Sequence, residues 1–317
     1  MKGFAAVLLF LALNAFGQSD FPSKPIRVLV PTTAGGVPDV LARGVGQRMA
    51  ESLGQPVVVE NRAGAGGILA AEAVLKSPAD GHTLFLGDTG NYAVSAALYA
   101  RFPYDVQKDF APVVLAAAPP VYLVAAAGSP FHSVQDFVRL SKAGTPVVYG
   151  STGNGNVTHL AMELYRSLTG ANLTHVPYKG AAGLAPALLS GDVGIGFIGY
   201  SIVAPHARTG KLRVLAVSTP QRSALTPEIP TLIEAGFPDF EAVAWIGFMA
   251  PGGTPKNIID AYHAELIHAL ATPEVKQRLL DIQFEIVAST PEQFDEYIRW
   301  ETPRWAKVIK DTGARAN

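Results

Sequence analysis

Runs of Val, Ile and Leu with no polar alternation recur along this chain. They are "IRVLV" (26–30), "PVVVE" (56–60), "TLFLG" (83–87), "VYLVAA" (121–126), "VVYG" (147–150), "VGIGFI" (193–198) and "LRVLAVS" (212–218). A strand apolar at successive positions must be buried on both faces. Helix-period stretches stand between these runs. One is predicted from Val37 to Leu53, with Leu41, Val45, Met49 and Leu53 on one side and Gly54 as its stop. Another carries Val157, Leu160, Ala161, Leu164, Tyr165 and Leu168 on one stripe and ends at Gly170. The tail predicts helices over 256–271, 273–281 and 291–312, the last after a strand "FEIVA". Strand–helix alternation of this kind predicts α/β domains with mainly parallel sheets. No internal repeat, low-complexity tract or long linker is visible.

The first residues bear on location. Lys2, the apolar "FAAVLLFLALNAF", and the small residues Ala15 and Gly17 have the order of a secretory signal peptide cut after about Gly17. The apolar run is short for a membrane anchor and lacks a stop-transfer flank. About 300 residues then remain, enough for two domains. The net charge of −1 offers no basic excess for nucleic acid or an anionic membrane. The chain has no Cys, and a domain of this size buries enough apolar surface to do without disulfides. A periplasmic protein is expected.

Two loops share one design. "PTTAGGVPDVLAR" (31–43) and "GSTGNGNVTHLAMEL" (150–164) each follow a buried strand, combine glycines with hydroxyls and open a helix. The first amides of a helix lack intrahelical acceptors, glycine admits close approach, and the helix dipole adds positive potential there. A third loop, "GDTGNY" (87–92), adds Thr89 and Asn91. In open α/β sheets ligands bind beyond the carboxyl ends of strands, so the three loops are candidates to face one interdomain cleft. Plainer readings stand beside this one. Each loop serves equally as a turn, Asp39 as a first-turn acid, and Asn156 as a helix cap.

Catalytic signatures are missing. "GSTGNG" lacks the Gly-Lys-Ser/Thr ending of a phosphate loop, "GNGNVT" lacks the last glycine of a dinucleotide fingerprint, and no G-x-S-x-G elbow occurs. His159 and Glu163 share a helix face, but "HLAME" is not a zinc-binding pattern. His159 is expected to be a partly buried polar residue near its loop. No metal, cofactor or catalytic residue is expected.

The motifs "PTTAGGVPDVLAR", "VVVENRAGAGG", "ADGHTLFLG", "FPYDVQKDFAPV", "YGSTGNGNVTHLAMEL", "HVPYKGAAG", "GKLRVLAVST", "IPTLIEAGFPDFE" and "WIGFMAPGGTP" follow one another in register. In this order they resemble the receptors of tripartite tricarboxylate transporters, the Bug family of periplasmic solute-binding proteins, over essentially the whole mature chain. The resemblance implies a two-lobed type II periplasmic-binding fold, a Venus flytrap. Lobe one would hold 18–122 and 248–317, lobe two 123–247, with "VYLVAA" and "WIGFMAP" as hinge strands. It implies a receptor that captures a small organic acid (mono-, di- or tricarboxylate, aromatic ones included) and delivers it to membrane permease subunits. The receptor is expected to work as a monomer without nucleic acid. Carried to matching positions, the ligand contacts would be Thr33, Gly35, Gly36 and Asp39 on lobe one and Ser151, Thr152, Gly153 and Asn154 on lobe two. Tyr92, Tyr178 and Tyr200 are candidates to line the cleft, and Lys179 to add long-range attraction.

The chain departs from the family pattern in places. Thr32, Thr33 and Ala34 stand where Phe-Pro-Pro is usual, and Ala187 and Gly194 replace common Asp residues. The two missing acids argue against a ligand ammonium on lobe two. Two other functions remain open at this level: a secreted hydrolase using the same cleft, and a sensor for a signalling partner. A defensible nucleophile–base pair would favour the hydrolase, and the sequence displays none.

Overall fold

The computed structural model describes residues 21–35, 37–99 and 101–314. The signal-peptide segment and Gly36 lie outside the described residues.

Among the described residues, ten strands form two five-stranded sheets. The first sheet runs β2 (Val57–Asn61), β1 (Ile26–Val30), β3 (Thr83–Asp88), β10 (Ile246–Pro251), β4 (Phe110–Ala117). The second runs β7 (Leu173–Pro177), β6 (Val147–Ser151), β8 (Ile195–Gly199), β5 (Val121–Ala126), β9 (Leu212–Val217). In the first, β1 pairs in parallel with β2 and β3, while β10 is antiparallel to both neighbours. In the second, β6 pairs in parallel with β7 and β8, while β5 is antiparallel to both neighbours. The sheets thus repeat one topology. In each, the reversed strand is the one entered directly from the other sheet.

The helices are α1 (Val37–Leu53), α2 (Ile68–Leu75), α3 (Ser95–Leu98), α4 (Val106–Asp109), α5 (Val134–Ser141), α6 (Val157–Thr169), α7 (Ala181–Ser190), α8 (Tyr200–Arg208), α9 (Lys256–Ala271), α10 (Pro273–Asp281) and α11 (Pro291–Thr312). The helices predicted at Val37, Val157 and in the tail have these bounds. Gly54 and Gly170 take the left-handed conformation that ends α1 and α6. The predicted strand "FEIVA" does not form. Only Ile286 bridges, to Ala117.

One apolar cluster packs α1, α9 and α10 on the first sheet, and another packs α7 and α8 on the second. A third runs from Phe85 and Tyr92 in one lobe through Trp245 to Tyr149 and Leu160 in the other. Both faces of each sheet are therefore covered, which is why the strands carry unbroken apolar runs. Helix α11, about 33 Å long at 1.5 Å per residue, serves both lobes. Its Phe294 and Ile298 join Trp245 and Tyr92, and its end packs on α6, where Arg166 donates to the Thr312 carbonyl.

The strands expected to be hinges lie inside the sheets. The crossing backbone is 118–120 and 218–245. Ser218 ties the crossings together: its Oγ accepts from Val121 N at 3.3 Å and donates to the Ala242 carbonyl at 2.7 Å. Pro120 and Val243 bridge beside it. Of the longer segment, 218–242 folds back on the second sheet, with Ala242 N donating to the Ser218 carbonyl at 3.1 Å, so only a few residues at each crossing pass between the sheets, as at a hinge.

Candidate ligand-binding site

A cavity of about 250 Å³ lies between the lobes. Pro31 and Thr32 line it from the end of β1, Gly64, Gly66 and Gly67 from the turn after β2, and Asp88, Gly90 and Asn91 from the end of β3. Ser95, Leu98 and Tyr99 complete that wall, and Asn154, Gly155 and Asn156 close it from the second lobe. A larger groove of about 750 Å³ lies on the hinge side, against 219–224 and 285–293, away from the carboxyl ends of the parallel strands. The smaller cavity has the position that the sheet topology favours for a ligand.

Backbone conformation builds the first wall. Gly64, Ala65, Gly66 and Gly67 all have positive φ (131°, 48°, 61° and 91°). A Cβ at Gly67 would stand 2.0 Å from Asn91 Nδ2, so only glycine lets that amide through. Asn91 Nδ2 donates to the Gly66 carbonyl at 2.7 Å, and Asn91 Oδ1 accepts from Asp88 N at 3.2 Å. This side chain joins two loops while lining the cavity. Helices α2, α3 and α6 begin near these loops. None of the described lining residues is Lys, Arg or His. The positive potential available to an anion comes from backbone amides and helix ends.

The second-lobe loop is braced from behind. Ser151 Oγ meets His175 Nε2 at 2.7 Å and accepts from Gly153 N at 3.2 Å. Gly155 N donates to His159 Nδ1 at 3.1 Å. Thr152 N donates to Thr158 Oγ1 at 2.9 Å, and Asn156 caps α6 by accepting from Thr158 N at 3.1 Å. The two histidine rings stack with centroids 4.0 Å apart. Burial pulls both down to about 4, helped at His159 by the Arg166 charge and at His175 by His159. Both rings are therefore neutral at pH 7, which leaves Nδ1 of His159 free to accept.

Of the residues named from sequence, Asn91 and Asn154 line the cavity. Thr33 and Gly35 are exposed on the loop that contributes Pro31 and Thr32. Asp39 is buried behind that loop, where it accepts from Gly35 N at 2.9 Å, Arg43 Nε at 3.0 Å and Asn61 Nδ2 at 2.9 Å. The Arg43 hydrogen bond holds its carboxyl below the usual range. Thr89 faces the hinge: it donates to the Val243 carbonyl at 3.2 Å and accepts from Trp245 N at 3.0 Å. Ser151, Thr152 and Gly153 shape the second-lobe loop. Tyr178 is half-buried beneath it, packed near Gly150 and Gly183. Tyr92 stacks on Trp245 in the core, and Tyr200 packs on Tyr122. The wall residues Thr32, Gly64, Gly66, Gly67, Asp88, Ser95 and Tyr99 were not singled out from sequence. The run of glycines in "RAGAGG" was the available signal for the turn.

The Ser151–His175 contact is of the nucleophile–base kind. Ser151 is fully buried, however, and outside the lining of the cavity. The pair braces the loop from behind and does not border the cavity.

The family model for the tripartite tricarboxylate transporter family receptor matches residues 41–314. The chain belongs to that receptor family. Protein BugT of Bordetella pertussis is 37% identical over 297 residues, covering 93% of this chain and 91% of BugT. A structure of an R. palustris protein with adipate shares 33% identity at a TM-score of 0.79, covering 93% of this chain and 99% of that one. MatC from Rhodopseudomonas palustris with bound malate shares 33% identity at a TM-score of 0.77, covering 91% and 100%. Two α/β lobes enclose the cavity just described. No described helix is long and apolar enough to cross a membrane.

Proposed function

We propose that this receptor captures a small organic carboxylate between its lobes in the periplasm and passes it, unaltered, to the permease subunits of a tripartite tricarboxylate-type transporter. One observation carries the reading. The interlobe cavity is walled by strand ends, glycine backbone and helix N-termini from both lobes, with no cationic side chain among its described lining. Such a wall holds an anion by hydrogen bonds and dipoles and lets it go again when the lobes part. The similar structures with adipate and with bound malate support carboxylates as the class. A volume of about 250 Å³ suits a small acid, being below the roughly 300–1,000 Å³ of drug-sized pockets.

In this reading the carboxylate lies between the 31–36 loop, including Thr33, Gly35 and Gly36, and the Ser151–Asn154 loop. Asp39 and Tyr178 position those loops, Thr89 ties the third loop to the return crossing, and Asn91 and Asn154 border the ligand. Residues 123–247 move against 18–122 and 248–317 about the crossings at Ser218. The signal-peptide pattern of residues 1–17 supports export. The test is calorimetric titration of the mature protein with a panel of mono-, di- and tricarboxylates and their uncharged amides, with product analysis after long incubation. A binder that needs its charge and returns unchanged is expected. A panel without binders, or turnover abolished by a cavity substitution, would overturn the reading.

A further inference from the structure

Asp88 is the one carboxylic side chain among the described residues lining a cavity otherwise walled by neutral groups. It ends β3, partly buried, and its neighbour Thr89 turns the other way, toward the hinge. Its Oδ1 accepts from the Asn91 amide at 3.2 Å, and the Gly90 amide also supports the carboxyl. No ion pair to Asp88 occurs among the described residues. The nearby polar groups, Asn91, Ser95, Tyr99 and Asn154, are neutral. Burial raises its pKa, the response of a carboxyl that has lost water without gaining a cation. Thr32 Oγ1, on the wall of the same cavity, is buried with no hydrogen-bond partner among the described residues.

A carboxylate with no cation beside it is a poor wall for an anion. It repels the ligand's charge unless something between them donates a hydrogen bond. A simple acid has no such donor. An acid with a hydroxyl or ammonium beside its carboxylate does. We infer that Asp88 is a specificity-determining residue that accepts a hydrogen bond from such a donor group, so the receptor selects hydroxy or amino acids over their unsubstituted parents. This deepens the proposed carboxylate-receptor function and rests on it. A hydroxyl and an ammonium both qualify as that donor, and the two are separated below.

The experiment is calorimetric titration with three matched trios at pH 7: propionate, lactate and alanine; succinate, malate and aspartate; phenylacetate, mandelate and phenylglycine. Wild type, Asp88→Ala and Asp88→Asn are compared, with melting curves to show that each is folded. Hydrogen bonds to charged groups imply at least about tenfold tighter binding of the substituted member in the best-binding trio. Asp88→Ala should erase that ratio, by weakening the substituted acid and leaving or improving the parent. Asp88→Asn keeps an acceptor oxygen without the charge, so a hydroxy acid should lose little and an amino acid much. An unsubstituted parent that binds as tightly as its partners in wild type, or a ratio that survives Asp88→Ala, overturns the inference and leaves the receptor reading standing. Methyl esters that bind as well as the acids overturn the receptor reading instead. No binding by any member overturns both.

Discussion

Gly155 is where lobe closure is most exposed to a single methyl group. It stands on the second-lobe loop, and a Cβ built there would lie 2.4 Å from Leu98 Cδ1 on the first lobe. Ordinary carbon contacts fall near about 3.5–4.0 Å, so Gly155→Ala demands a shift of more than an ångström. Leu98 Cδ1 ends a side chain that borders the cavity, so it can yield only by turning into the interlobe space. The residue also has φ of 70°, and a side chain in that region costs roughly 1–2 kcal/mol. The backbone cost is present whether the lobes are open or closed, so it lowers stability and leaves affinity alone. The clash exists only when the lobes meet. Overpacking costs about 1–3 kcal/mol, which raises Kd about fivefold to over a hundredfold. The assay is titration calorimetry with the tightest acid from the panel, beside solution scattering for the closed shape. Leu98→Ala removes the obstructing methyl. The double variant Gly155→Ala/Leu98→Ala should bind more tightly than Gly155→Ala, although it melts lower than wild type. Wild-type affinity in Gly155→Ala, or a double variant no better than the single, would refute closure through this contact.

Gly67→Ala should drive the Asn91 amide off the Gly66 carbonyl, open the first wall and abolish measurable binding; titration with the same acid checks this. His159 and His175 have folded values below their ordinary 6.5, so the stability they lend is full above that pH and is lost as pH falls toward about 4. Affinity and loop amide protection should fall together over that window, as titration and hydrogen exchange at pH 7 and 4.5 would show. Glu301 is the opposite case. Burial pushes its carboxyl up to about 7, so its contribution is full below about 4.5 and is lost as pH rises through 7. Glu301→Gln keeps an acceptor for Trp245 Nε1 and should gain up to ~3 kcal/mol over wild type at pH 8 but little at pH 5. Urea melts at the two pH values decide it, and equal effects at both would count against a charge buried at the hinge.

The elements legible in sequence are those whose physics is local. A helix announces itself by a stripe and a stop, and α1 and α6 have both. Strands buried on two faces announce themselves as unbroken apolar runs. Of the three strands not read as apolar runs, β4 and β7 are sheet edges, and β10 entered only with the family resemblance. In β4 Pro112 interrupts the pattern, as edge positions allow. In β7 Thr174 is exposed, and His175 and Val176 are half-buried, so no clean apolar run appears. The shared topology of the two lobes was invisible for a related reason. It lies in strand order and direction, which distant pairings set, and different residues fill equivalent places.

The site divides along the same line. The loops at 31 and 150 were legible because glycine and hydroxyl residues at a helix start have a local meaning. Which of their atoms face the cavity has none. Ser151 and Asn154 are three residues apart, yet one is fully buried against His175 and the other is exposed at the cavity. Asp88 and Thr89 are adjacent, yet a change of direction at the end of β3 sends one to the cavity and the other to the hinge. That second pair joins the cavity wall to the return crossing. Thr89 holds the return crossing through Val243 and Trp245, and Trp245 reaches Glu301 on the helix that spans both lobes. In the proposed reading, a ligand held by Asp88 would act on the crossing through one peptide bond. Thr89→Val, which keeps the shape and removes both hydroxyl bonds, should leave the cavity wall in place and change how readily the lobes close. Titration should then show an altered affinity for every acid by the same factor, whereas Asp88→Ala changes the ratio between acids.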